Sequence, residues 1–210
     1  MLAFAVLAGW ESPAKASGTV TNASLVALQS ALAGGGPVIL AYNGTIITPG
    51  ILEISFDTML FATTNGAVIS GGNGTQVFYV DAGVNFTVTN LTITGGNSTG
   101  TDGSNGTTGS SGGSTGKSGG SGSIGGNGLG GAIYNQGNTT LINCNLLTNS
   151  AAGGAGGSGG NGGSGSSFGG NGGNGGNGGS GFGGAIYNLG SILLSNCTVA
   201  GNSASGGIGG

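Results

Sequence analysis

Gly130-Gly-Ala-Ile-Tyr-Asn135 returns unchanged, 53 residues later, as Gly183-Gly-Ala-Ile-Tyr-Asn188. The match continues without a gap: Asn143 falls on Asn196, Cys144 on Cys197, Asn149 on Asn202 and Ala151 on Ala204. A weaker copy lies a further 53 residues upstream. There Val80 aligns with Ile133 and Ile186, Val88 with Leu141 and Leu194, and Asn90 with Asn143 and Asn196. The columns Phe86/Thr139/Ile192, Leu91/Cys144/Cys197 and Ile93/Leu146/Val199 complete it. Self-similarity at a fixed period is the signature of a repeat architecture.

Each copy joins two parts of opposite chemistry. Apolar columns at 86 and 88, then at 91 and 93, are spaced by two, so each pair faces one side of a strand. The phase slips at Asn90, where the strand turns a corner. The rest is Gly-rich: residues 153–182 hold 18 glycines in 30 positions. Removing that insert leaves about 23 patterned residues, enough for one coil of three short strands. A single coil cannot bury its apolar face, so coils stack with like residues above like. The expected fold is all-β, a single-stranded parallel β-helix with an N-terminal capping helix and long Gly-rich loops.

With the motifs placed, a resemblance emerges. GGAIYN followed by Leu146-x-x-Asn149, or by Val199-x-x-Asn202, resembles the GGA(I/L/V) and FxxN repeats of polymorphic outer membrane proteins. It is also similar to secreted bacterial right-handed β-helix proteins of the pectate-lyase-like fold. Leu146 and Val199 stand where the narrower family has Phe. The likeness covers roughly residues 18–98 and both later repeats. It implies a right-handed helix and a surface-exposed passenger, often delivered by an autotransporter barrel.

Composition narrows the function. Seven charged residues in 210 is far below the roughly 25% of ordinary domains. Arg and His are absent and the net charge is −3, which argues against nucleic-acid binding, since that needs Lys and Arg to displace counterions. Leu2–Trp10 is an apolar run too short to span a bilayer, and Ala14-Lys-Ala16 reads as a signal-peptidase site. Residues 1–16 are therefore expected to be a signal peptide and 17–210 the β-helix. Asn22–Ala33 is the helix candidate, with Asn22 as its cap and Leu25, Leu28 and Leu32 on one face.

Inserts occupy about 97–129 and 153–182, and another begins at 205. All leave at one corner. Asn171, Asn174 and Asn177 recur every third residue between glycine pairs, which suits an extended polyproline-II-like helix. The alternative is a flexible low-complexity loop, dispensable for folding, and the Ser/Thr-rich first insert favours it. Similar GGN/GGS tracts occur in glycine-rich surface proteins of mycobacteria.

Motifs that carry chemistry are sparse. Ser111–Ser118 nearly matches a phosphate-binding loop but lacks the first glycine and the flanking strand and helix. Glycoside hydrolysis needs two carboxylates about 5–9.5 Å apart. Glu53 and Asp57 on one strand would lie about 13 Å apart, which leaves Asp57 and Asp81, across neighbouring coils, as the weak catalytic candidates. Threonines at 87 and 89 suggest an ice-binding face, but columns 87/140/193 and 89/142/195 do not keep threonine. Cys144 and Cys197 share a column at the roughly 4.8 Å strand spacing, which permits a disulfide, while a small buried hydrophobe is the other reading. The Asn90/Asn143/Asn196 column reads as a hydrogen-bonded corner ladder. No cofactor or metal site is expected.

The expectation is a secreted or cell-surface structural or adhesin-like protein, extracellular or on a bacterial outer membrane, without catalysis. Its partner would be a host or neighbouring-cell surface protein or a polysaccharide. No transmembrane helix or nucleic-acid partner is expected. The alternative is a fragment of a carbohydrate-active β-helix enzyme whose site lies elsewhere.

Overall fold

The computed structural model describes residues 18–210. Leu2–Trp10 and the Ala14–Ala16 cleavage signal lie outside the described residues. The chain winds as a parallel β-helix with three walls, every strand pair parallel. The first wall stacks Gly18–Val20, Gly36–Leu40, Thr58–Ala62, Asn85–Thr89, Asn138–Ile142 and Ser191–Ser195. The second stacks Gly44–Ile47, Ala67–Ser70, Thr92–Thr94, Asn145–Leu147 and Thr198–Ala200. The third stacks Leu52–Ile54, Phe78–Val80, Ile133–Asn135 and Ile186–Asn188.

Alternation along each strand decides what is inside. Leu60 and Ala62, Phe86 and Val88, and Leu141 point into one continuous core, packed against Ile69, Ile93 and Leu146 from the second wall. Phe78 and Phe86 meet near its middle with ring centroids 5.2 Å apart. The 53-residue register holds from Asn85 onward: Val88 pairs Leu141, which pairs Leu194, and Ile93 pairs Leu146, which pairs Val199. Coils without an insert advance 22 residues from Val38 to Leu60 and 28 from Leu60 to Val88.

Two expectations about the columns need correction. Val80 does not lie under Ile133 and Ile186; Phe78 pairs Ile133, and Val80 pairs Asn135. The corner after Val80 holds four residues, Asp81–Val84, where the later coil has only Gln136 and Gly137. Gly83 at φ 81° lets this bulge turn, and buried Val84 plugs it. The bulge absorbs two residues, so the period is 55 before it and 53 after. Leu194 faces inward but is 39% exposed, because no further coil covers it among the described residues.

The helix is Leu25–Leu32, capped by Ser24 rather than Asn22. The Ser24 hydroxyl accepts from the Ala27 N–H at 3.3 Å, satisfying one of the donors a helix start leaves over. Asn22 instead closes the preceding turn, its carbonyl accepting from the Ser24 N–H. Leu28, Ala31 and Leu32 are buried and cover the first coil.

In the later coils asparagine stands at all three corners. Asn90, Asn143 and Asn196 turn the first wall into the second with φ of 59°, 52° and 52°, a left-handed region that asparagine tolerates better than most residues. Their amides form an outer ladder, Asn143 Nδ2 to Asn90 Oδ1 at 3.1 Å and Asn196 Nδ2 to Asn143 Oδ1 at 2.8 Å. Asn149 and Asn202 leave the second wall on the inside; Asn149 Oδ1 accepts from Gly96 N–H and its Nδ2 donates to Asn202 Oδ1 at 2.9 Å. Asn135, fully buried, joins the third wall to the first, bonding Asn188 Oδ1, Ser191 O and the Thr139 hydroxyl.

The inserts are not flexible loops. Between Asn97–Thr99 and Gly128–Leu129 the chain runs out through 100–112 and back through 116–128. The second insert runs out through 153–165 and back through 168–180, and a third outgoing arm begins at 206. Bonds recur every third residue, the period of a polyproline-II-type helix. Gly103, Gly106 and Gly109 N–H donate to Ala155, Ser158 and Asn161 carbonyls, tying the outgoing arms into one layer. Gly119, Gly122 and Gly125 do the same with Asn171, Asn174 and Asn177 in the returning layer. Gly120 N–H to Thr107 O and Gly173 N–H to Gly160 O join the layers. Each 13-residue arm would reach about 40 Å at ~3.1 Å per residue.

Glycine appears where an arm has neighbours on that side. A Cβ on Gly154, Gly157, Gly160 or Gly163 would sit 2.0–2.2 Å from the carbonyl oxygens of Thr101, Ser104, Thr107 and Ser110. Those four residues hold the same positions one insert earlier, on the exposed edge of the slab, and there side chains fit. The irregular Ser/Thr pattern of the first insert is thus an edge pattern, not a mark of looseness. Deleting the inserts should therefore remove packed structure rather than slack.

Two outcomes test this account. Gly160→Ala places its methyl against backbone that cannot yield and should destabilise the protein by about 1–3 kcal/mol. Gly172→Ala, whose Cβ would find nothing nearer than 3.7 Å, should be neutral or stabilising by about 0.4–1 kcal/mol. Thermal denaturation of both variants decides it, equal losses being the contrary result. Asn149→Ala, which orphans the buried Gly96 N–H, should cost about 1–3 kcal/mol in the same assay.

Candidate functional site

The third wall carries its outward side chains in one line. Glu53 pairs Tyr79, Tyr79 pairs Tyr134 and Tyr134 pairs Tyr187. Strands in register stack like residues a coil apart, so the rings form a ladder. Tyr79 and Tyr134 are stacked with centroids 5.0 Å apart, and Tyr134 and Tyr187 follow at 5.4 Å. Alongside runs a second line, Leu129 pairing Phe182 at the base of the slab. The Phe182 ring lies 6.1 Å from that of Tyr187, so the two lines form one aromatic strip. Gln76 fixes the slab's base to the barrel, its buried Nε2 donating to Leu129 O at 2.7 Å and to Gly130 O.

Acidic groups lie at one end of the strip. Glu53 and Asp81 line a shallow surface pocket with Ile51 and Tyr79. The Tyr79 hydroxyl is pushed above its ordinary value, first by partial desolvation, then by Tyr134 and by the negative charge of Asp81 and Glu53. At neutral pH it is a phenol able to donate a hydrogen bond.

The candidate carboxylates Asp57 and Asp81 lie on neighbouring coils. Asp57 lies beneath Asn85, accepting from its N–H at 2.8 Å and from its Nδ2 at 3.1 and 3.2 Å. Asp81 donates its N–H to Ile54 O, which places it earlier on the coil than Asp57. The two-residue bulge that displaces Val80 begins at Asp81. Glu53, paired in the sequence with Asp57 and found too distant, shares its pocket with Asp81 instead. The tyrosine ladder was readable at two of its three steps, in the repeated GGAIYN; Tyr79 was hidden by the same bulge.

Asp102 and Lys117 sit within the ordered slab. Asp102 Oδ1 accepts from Ala155 N–H at 2.8 Å, and Asn105, Ser111 and Asn127 serve Ser158, Ser164 and Ser180 in the same way. These side chains meet the amides that the glycine bonding leaves over, which accounts for Asx and Ser on the slab face without a ligand.

Cys144 and Cys197 are free thiols. In-register neighbours project their Cβ atoms in parallel, whereas a disulfide needs them to converge. Each sulfur instead reaches carbonyls of the preceding coil, Cys144 to Val88 O at 3.5 Å and Cys197 to Leu141 O at 3.3 Å. Burial raises the Cys144 thiol pKa. Among the described residues no helix is long and apolar enough to cross a membrane.

Compared with known families, curated proteins and solved structures, the chain matches no family model, no curated protein and no solved structure.

The thiols give a direct check. Cys144 is buried with its thiolate disfavoured, while Cys197 is half-buried on the last described coil. Timed alkylation at mildly alkaline pH, read by peptide mass spectrometry, should label Cys197 well before Cys144. Equal rates would contradict the buried column.

Proposed function

We propose that this chain is a secreted or cell-surface structural protein of adhesin-like type, a stiff β-helix carrying a glycine slab along one edge. One observation carries the reading: from Asn85 onward slab and coils share one 53-residue repeat, so each further repeat of that kind extends both. Such growth lengthens a rigid display surface. The side chains presented along the slab are short and polar, and seven charges in 210 residues suit an extended outer surface better than a catalytic cleft. The GGAIYN and Leu146-x-x-Asn149 repeats support a passenger of the polymorphic outer membrane protein kind, in an extracellular or outer-membrane setting. The partner is a surface protein or polysaccharide of a host or neighbouring cell.

Display is testable on the producing cells. Antibody raised against the slab should label intact cells without permeabilisation, and labelling only after permeabilisation would refute the proposal. Purified protein incubated with pectin, alginate and β-glucans should release neither reducing ends nor unsaturated products. Turnover abolished by Asp81→Asn would favour the carbohydrate-active alternative.

A further inference from the structure

The aromatic strip has a distribution that packing alone does not require. Three of the chain's four tyrosines stand in it, partly exposed on the outer face of the third wall. The fourth, Tyr42, is buried in the core. Stacking engages the ring faces with one another, worth about 0.5–1.5 kcal/mol per pair. Phenylalanine would stack equally well. What tyrosine adds is a hydroxyl at each coil, a polar handle on an apolar body. Their spacing is set by the coil rise, about 4.8 Å. A ligand that meets all three must itself be extended and repeat at a similar step, as the sugar units of an extended polysaccharide do.

Charge selects among polysaccharides. The end of the strip holds Glu53 and Asp81. Lys117, the one basic residue among those described, lies at the far turn of the slab, where the first insert reverses. A uronate chain would meet repulsion with no compensating cation on the strip, and an amino-sugar chain would meet attraction.

We propose that the strip of Glu53, Tyr79, Asp81, Tyr134, Tyr187 and Phe182 binds an extended polysaccharide containing amino sugars, laid along the helix axis. Tyrosine hydroxyls hydrogen-bond successive sugars, Phe182 covers one flank, and the carboxylates hold an ammonium group at the Glu53 end. This deepens the display reading above and rests on it.

Isothermal titration of the full chain with glucosamine, N-acetylglucosamine and galacturonate hexamers tests it. Affinity should fall in that order, with no binding of the galacturonate. Replacing the three ladder tyrosines by phenylalanine keeps the stack and the melting temperature. It should weaken glucosamine binding about tenfold or more, since one net hydrogen bond per ring is lost. Glu53→Gln with Asp81→Asn should bring glucosamine down to the N-acetylglucosamine level. No binding by the native chain, undiminished binding by the phenylalanine variant, or equal binding of a lysine hexapeptide would overturn the proposal. If intact cells still show the slab by antibody, that failure leaves surface display standing and removes only the ligand.

Discussion

The structure depends on backbone meeting backbone with nothing between. In the walls this is ordinary parallel pairing, each strand bonded to its equivalent one coil away. In the slab it is harsher. A Cβ on Gly119, Gly122 or Gly125 would lie 1.9–2.1 Å from a carbonyl oxygen of the next arm. Only glycine allows that approach, and the approach is what lets each arm satisfy its amides against its neighbours. An unpaired buried amide costs about 1–3 kcal/mol, so a slab of this size cannot leave them open. Glycine's usual entropic penalty is accepted because the lattice needs it.

That constraint joins slab to barrel. An arm enters the lattice only if its coil stacks in register, and a coil stacks only if its corners turn at the right place. Asparagine fixes the corners, by left-handed backbone at Asn90, Asn143 and Asn196 and by buried amide bonding at Asn135 and Asn149. Register then aligns the outer columns too, and so sets Tyr79, Tyr134 and Tyr187 one above another.

Much of this was legible in the residues. Two identical GGAIYN motifs at a fixed offset defined the repeat, and spacing by two at 86/88 and 91/93 defined walls and a corner. The failures share physical causes. A bulge of two residues at Asp81–Val84 is invisible when one offset is imposed, and it hid Phe78, Tyr79 and the Glu53–Asp81 neighbourhood together. Helix capping fell to Ser24 because the backbone before it was already turning, which side-chain preference does not report. The slab escapes hydrophobic periodicity, which has nothing to say about a lattice held by amides. Its signal was there in another form: glycine at every third residue throughout, with a second glycine in every triplet of the second insert's arms and in none of the first outgoing arm, 100–112. Site chemistry was the least legible, since ladders arise from stacking and not from local motif.

Hydrogen–deuterium exchange of the full chain, resolved to peptides, bears most directly on the central claim that the glycine-rich inserts are packed structure. The bonded amides of 153–180, among them Gly154, Gly157, Gly160, Gly170, Gly173 and Gly176, should exchange as slowly as those of the core strands Asn138–Ile142 and Asn145–Leu147, with protection lost only on global unfolding. Complete exchange of 153–180 on first mixing, while those strands stay protected, would contradict it.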